Sequence, residues 1–175
     1  KTKIDKRTVG VASKYKAMGQ DIGMRAGKRE YVCLLDYDTV FLNEWAEQLI
    51  NQLKKCFLIT GRWQPVGQLG FAKDQFLIIR RKDVETHNLY PNIDYIDTNG
   101  YLTYFCTENN KEIGLLANSF NDESLKSEHV IKLSSGEQMY VDNVPVLYHY
   151  GRGSAREDEL YKAWSDEVEK YLRDN

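Results

Sequence analysis

The sequence is poor in proline and cysteine, and it has no excess of either charge. Only three prolines and three cysteines occur in 175 residues, and 24 Lys and Arg oppose 26 Asp and Glu, for a net charge of −2. A balanced charge gives no field that would attract nucleic acid or an anionic membrane, so we expect neither as a partner. No apolar run is long enough to span a membrane, and no signal peptide is recognisable. We therefore expect a cytoplasmic protein.

The three cysteines, Cys33, Cys56 and Cys106, are far apart and lie in apolar stretches. Their odd number and the lack of a C-x-x-C pair support neither a disulfide framework nor a structural zinc site. Free thiols, buried in a reducing compartment, are the expectation.

The hydrophobic pattern alternates between helical and strand-like segments, which predicts a single α/β domain over residues 1–175. The continuous apolar run "EYVCLLD" is typical of a strand covered on both faces in a parallel sheet. The Tyr- and Asn-rich segment 86–104 is expected to be a loop. The other predicted elements are helices at 9–26, 43–55 and about 154–173, and strands at "CFLIT", "QFLIIRR", "MYVD" and "VPVLYHY".

Two aspartates, Asp36 and Asp38, end the run "YVCLLDYD" and are separated only by Tyr37. Carboxylates at the carboxyl end of a parallel strand lie where α/β sheets bind ligands, and hard oxygen ligands suit Mg²⁺ or Mn²⁺. Three interpretations are open: a metal site that holds phosphates, a phosphatase nucleophile with its acid/base partner, and a polar strand end exposed to water.

The segments before and after these aspartates resemble those of a known protein family. The segment 15–53 resembles the central part of the GT-A glycosyltransferases, especially the large inverting family 2. The matching blocks are Asp21-Ile22-Gly23 for an Asn-x-Gly, Glu30-Tyr31-Val32 for the strand entry, Asp36-Tyr37-Asp38 for the D-x-D motif and Asn43-Glu44-Trp45 for the helix opening. The resemblance implies a GT-A-like mixed sheet flanked by helices. It also implies a D-x-D that holds Mn²⁺ or Mg²⁺ on the diphosphate of a UDP- or GDP-type sugar donor, and transfer to an acceptor hydroxyl, with inversion.

Looser matches supply further site residues. "IDTNGYL" resembles the segment with the catalytic base, which would be Asp97, with Asp94 as second choice, although either can be a loop acid at a turn. "VPVLYHYGRGS" resembles a late strand whose His149 completes the metal's coordination; a half-buried strand histidine is the alternative, but the position just before Gly151-Arg152-Gly153 favours a site at the strand end. Arg152 can bind the diphosphate or be solvated. Trp63 can stack on a sugar ring or wedge a loop against the core.

The resemblance has one departure. GT-A enzymes begin with a strand like "vSiiiPtyN" and a second βα unit that holds the nucleoside, and neither precedes Val9 here. The expected fold is therefore an N-terminally truncated GT-A domain. A catalytically incomplete module that binds a sugar or a partner protein remains an alternative.

A second enzyme class also fits the motif. "LLDYDTVF" matches the D-x-D-x-[T/V] nucleophile motif of haloacid-dehalogenase-like phosphatases, in which Asp36 would attack phosphorus and Asp38 would transfer the proton. Against it, a helix is predicted from about Asn43, where that fold has a flap hairpin, and of its later paired acids only Asp142 in "YVDNVP" is found.

Overall fold

The computed structural model describes the chain at residues 11–42, 45–66, 69–72, 75–91, 100–128, 131, 136–150 and 158–174. The chain forms two compact units. The first comprises Lys1–Leu35 and Leu53–Leu115, and the second comprises Asp36–Gln52 and Leu116–Asn175. Both contain a β-sheet and α-helices, so the predicted mixed α/β class with helix-flanked sheets is confirmed. The single domain stays a prediction.

The first unit is built on a four-stranded mixed sheet in the order β1-β6-β3-β7. β6 lies antiparallel to both β1 and β3, whereas β3 and β7 run parallel. A separate hairpin of β4 and β5 belongs to the same unit. The strand bounds are β1 Tyr31–Leu35, β3 Leu58–Thr60, β4 Trp63–Val66, β5 Leu69–Ala72, β6 Phe76–Arg80 and β7 Ile113–Leu115.

Within the described residues of the first unit there are three helices: α1 (Val11–Ala26), α3 (Arg81–His87) and α4 (Gly100–Glu108). Each contributes to one core with the sheet: Met24 from α1, Val84 from α3, and Tyr101, Leu102 and Cys106 from α4. Gly27 ends α1, and a Cβ there would lie 2.7 Å from the guanidinium of Arg81. That guanidinium donates to the carbonyls of Met24 and Arg29, both at 2.6 Å, and so secures the end of the helix.

Two expectations for this unit are wrong. The strand of "EYVCLLD" is β1, which is at an edge of the sheet and pairs antiparallel with β6. Only Val32 and Leu34 of β1 are buried. These alternate residues face the hydrophobic core, whereas the side chains on the other face of the strand are more exposed. The predicted loop 86–104 is also interrupted, because α4 begins at Gly100 and buries Tyr101, Leu102 and Cys106.

The second unit is built on a four-stranded antiparallel sheet in the order β2-β10-β9-β8. Its strands are β2 Thr39–Phe41, β8 Ala117–Asn118, β9 Glu137–Val141 and β10 Val144–His149. Asp142 and Asn143, both with positive φ (48° and 66°), form the tight turn between β9 and β10. A bulge between Pro145 and Leu147 shifts the register of the hairpin.

Helices accompany this sheet as predicted. α2 (Trp45–Leu53) has a buried face with Leu49 and Leu53, a 3₁₀ helix covers Glu123–Glu128, and α5 spans Asp158–Asp174. Trp164 of α5 packs against Tyr148 and Tyr150 at the end of β10, together with Leu42 and Ile131. This cluster is an aromatic-rich hydrophobic core of the second unit.

Among the residues that the structure describes, no helix combines the length and the apolar character needed to cross a membrane. All three cysteines are free; Cys56 and Cys106 are buried and Cys33 is half-buried, so the expected free thiols are confirmed. Burial raises the pKa of both Cys33 and Cys106 to about 12.

Candidate metal site

Asp36 and Asp38 lie between β1 and β2, in the second unit. The pairing of β2 with β10 determines the position of Asp38. His149 is opposite Thr39 in this ladder. One residue further, the amide of Tyr150 donates to the carbonyl of Asp38 at 2.9 Å. This hydrogen bond places the main chain of Asp38 beside His149. One face of the sheet packs against the aromatic cluster of Tyr148, Tyr150 and Trp164.

His149 points away from that core because side chains alternate along a strand. Its neighbours Tyr148 and Tyr150 pack with Trp164, so His149 occupies the opposite face. There its Nε2 lies 3.2 Å from Oδ1 of Asp38 and 3.7 Å from Oδ2 of Asp36. Two residues of one motif and a histidine more than a hundred positions later therefore meet at one point.

A fourth residue, Glu137, completes the cluster. It is directly opposite His149 in the β9–β10 ladder, and its Oε1 lies 3.2 Å from Nδ1 of that histidine. The imidazole thus has Glu137 at Nδ1 and both aspartates at Nε2. Sequence reasoning missed Glu137, which lies two residues before the predicted strand "MYVD" and within the observed β9.

The cluster is buried, although its two aspartates differ in accessibility. The side chains of Asp38, Glu137 and His149 are 5%, 5% and 6% exposed, whereas that of Asp36 is 25% exposed. Burial alone lowers the pKa of His149, but hydrogen bonds and the negative charges of Asp38 and Glu137 outweigh it and raise the pKa to about 9. Without a metal, the imidazole is therefore protonated at neutral pH.

The donor set fits a divalent cation. One ligand atom from each of Asp36, Asp38 and His149 lies within 4.8 Å of the others. Adjacent ligands around a small divalent ion at ~2.1 Å are about 3 Å apart, close to the 3.2 Å between His149 and Asp38. Carboxylate oxygens and an imidazole nitrogen are donors that divalent cations of this kind take in proteins, so the three residues would hold such an ion.

The other sequence candidates are Trp63, Asp94, Asp97 and Arg152. Asp94, Asp97 and Arg152 lie outside the described residues. Trp63 begins β4, which belongs to the first unit. The structure therefore brings together the three predicted metal ligands and adds Glu137.

Comparison with protein-family models, with curated proteins and with solved structures gave no significant match.

Proposed function

We propose that this chain is a metal-dependent glycosyltransferase that transfers a sugar from a nucleotide-sugar donor to an acceptor hydroxyl. The observation that supports the proposal is the convergence of Asp36, Asp38 and His149. These are the residues that the GT-A resemblance implies as metal ligands, and Asp36 and Asp38 are distant from His149 in the sequence. A cation bound there would neutralise the leaving nucleoside diphosphate.

The difference in exposure supports different roles for the two aspartates. Asp38 is buried next to His149 and serves as the direct ligand of the cation. Asp36, which is more accessible, can hold the cation directly, through water, or contact the donor's ribose. His149 contributes its Nε2, which faces both carboxylates. Asp97, or Asp94 in its place, is proposed as the general base for the acceptor hydroxyl, and inversion follows from the resemblance alone.

A phosphatase is the second candidate function. The greater exposure of Asp36 favours it, because an attacking carboxylate must reach phosphorus while its buried neighbour Asp38 handles the proton. In this function His149 would stabilise the charges of the two aspartates.

One experiment separates these functions. The full chain is incubated with Mn²⁺ and a panel of UDP- and GDP-sugars, and release of nucleoside diphosphate is followed for the wild type, Asp38→Asn and the control Glu123→Gln. Glu123 is an exposed acid paired with Lys126 in the 3₁₀ helix, so its replacement leaves the cluster intact. The proposal expects Mn²⁺-dependent release that is lost in Asp38→Asn and retained in the control.

The same variants are assayed with a generic phosphate ester. Turnover of the ester with a phosphoryl group trapped on Asp36 would refute the transferase and support the phosphatase. Binding of Mn²⁺ and of a sugar without any turnover would instead indicate the catalytically incomplete module.

A further inference from the structure

We propose that Glu137 is the positioning residue of the metal site: it orients His149 and holds its proton on Nδ1, so that Nε2 is presented to the cation. The inference rests on the metal site of the proposed function. It concerns a residue that no motif in the sequence assigns.

The first support is the geometry of the pair. Glu137 and His149 are opposite each other on adjacent antiparallel strands, where cross-strand side chains are about 5 Å apart at Cβ. The 3.2 Å contact between Oε1 and Nδ1 is therefore set by the sheet, not by a flexible loop. The imidazole ring is fixed at one nitrogen by β9, and its other nitrogen is directed at Asp38.

The second support is the chemistry of imidazole. A neutral histidine carries one N–H, and the nitrogen that lacks it is the one that binds a metal. Because Glu137 accepts from Nδ1–H, the lone pair is held on Nε2. A carboxylate behind a metal-bound histidine also makes the ring a stronger donor, and removal of such a partner typically weakens metal binding about 10- to 100-fold.

Other roles for Glu137 fit the structure less well. Its Oε1 contacts the Nδ1 side of the ring, and the N–H of Nδ1 and the lone pair of Nε2 point in divergent directions. Glu137 is therefore placed behind the histidine, not beside it as a further ligand of the same cation. With 4% of its surface exposed, it is also too deeply buried to deprotonate an acceptor.

The test is a double-mutant cycle on Mn²⁺ affinity, measured from the electron paramagnetic resonance signal of free Mn²⁺ at fixed pH. The full chain is studied as wild type, Glu137→Gln, His149→Gln and the double variant. Glu123→Gln, which removes an exposed carboxylate paired with Lys126 on the same unit, is the matched control. We expect Glu137→Gln to weaken binding about 10-fold in the wild type and less than 2-fold in the His149→Gln background. The control should change nothing.

A further variant, Glu137→Asp, separates position from charge and serves if Glu137→Gln fails to fold. It keeps the negative charge but withdraws the acceptor from Nδ1, so we expect a loss of several-fold. Full affinity of Glu137→Asp, or equal losses for Glu137→Gln in both backgrounds, would show that Glu137 acts only as a charge and would overturn the inference. Those outcomes leave the metal site in place. If wild type and Asp38→Asn bind Mn²⁺ equally weakly, the site itself is wrong and the inference falls with it.

Discussion

Raising the pH in the absence of divalent cations should destabilise the protein through His149. Burial lowers the pKa of this histidine, but Asp38 and Glu137 more than offset that effect and raise it to about 9 from the ordinary 6.5. A group whose pKa is higher in the folded state binds its proton more tightly there, so protonation favours folding. The contribution is complete below pH 6.5 and is lost as the pH rises through about 9.

The size of the effect follows from the shift. The folded and unfolded values differ by 2.5 (9 minus 6.5), and each pKa unit corresponds to ~1.4 kcal/mol, so the contribution is about 3 kcal/mol. Because the ring is only 6% exposed, solvent screening reduces this figure little. A loss of that size is a substantial fraction of the free energy of unfolding of a typical domain.

The assay is urea unfolding in EDTA at several pH values from about 6 to 9.5, followed by circular dichroism, for wild type and His149→Gln. Tyrosine, lysine and cysteine also titrate near the upper limit, but they contribute equally to both proteins. The difference in unfolding free energy between wild type and variant should therefore fall by about 3 kcal/mol across the range. A difference that stays constant, or that grows with pH, would refute the assignment of a protonated His149 between carboxylates.

Four further predictions concern residues other than His149. Gly136→Ala should destabilise the protein by about 1–3 kcal/mol in urea unfolding, because the position has φ +110° and a Cβ would lie 2.8 Å from the carbonyl oxygen of His149. Gly19→Ala should instead stabilise the protein by ~0.5–1 kcal/mol, because the residue is in a helix and no atom lies within 4 Å of the new Cβ. Arg80→Lys should destabilise by about 1–3 kcal/mol in the same assay, because lysine cannot reproduce the guanidinium's bonds to one carboxylate and two main-chain carbonyls; an unchanged midpoint would contradict this. Cys33 and Cys106 should react with a thiol reagent far more slowly in the native protein than in urea, because their pKa of about 12 leaves little thiolate at pH 8; equal rates would contradict it.

The sequence predicts most helices and strands here because their apolar residues recur at clear periods. The final helix, the helix after the D-x-D motif and the strands of "VPVLYHY" and "QFLIIRR" are all present. The pairing of "YVCLL" is not predictable in the same way, because five apolar residues fit a central parallel strand and an edge antiparallel strand equally well. The short strands β2, β7 and β8 leave no periodic signal at two or three residues each.

The candidate site is also only partly predictable from the sequence. Asp36, Asp38 and His149 are predictable from the motif and the resemblance, and the structure brings them together. Glu137 is not predictable, because the residue that lies opposite it depends on the bulge in the hairpin. Continued from Val141 and Val144 without the bulge, the register would place Glu137 opposite Tyr148; the one-residue shift places it opposite His149. A bulge of this kind changes which side chains meet and has no reliable signature in the sequence.

The hairpin also determines when the parts of the cluster meet during folding. Glu137 and His149 are 12 residues apart, whereas Asp38 precedes His149 by 111 residues (149 minus 38). A hairpin closes within microseconds, while pairing between distant strands is slower because a long loop must be closed first. The histidine and its glutamate are therefore expected to pair early, and the aspartates to arrive only when β2 joins β10. The appearance of cation affinity in a refolding experiment would then time the formation of the long-range contacts of the second unit.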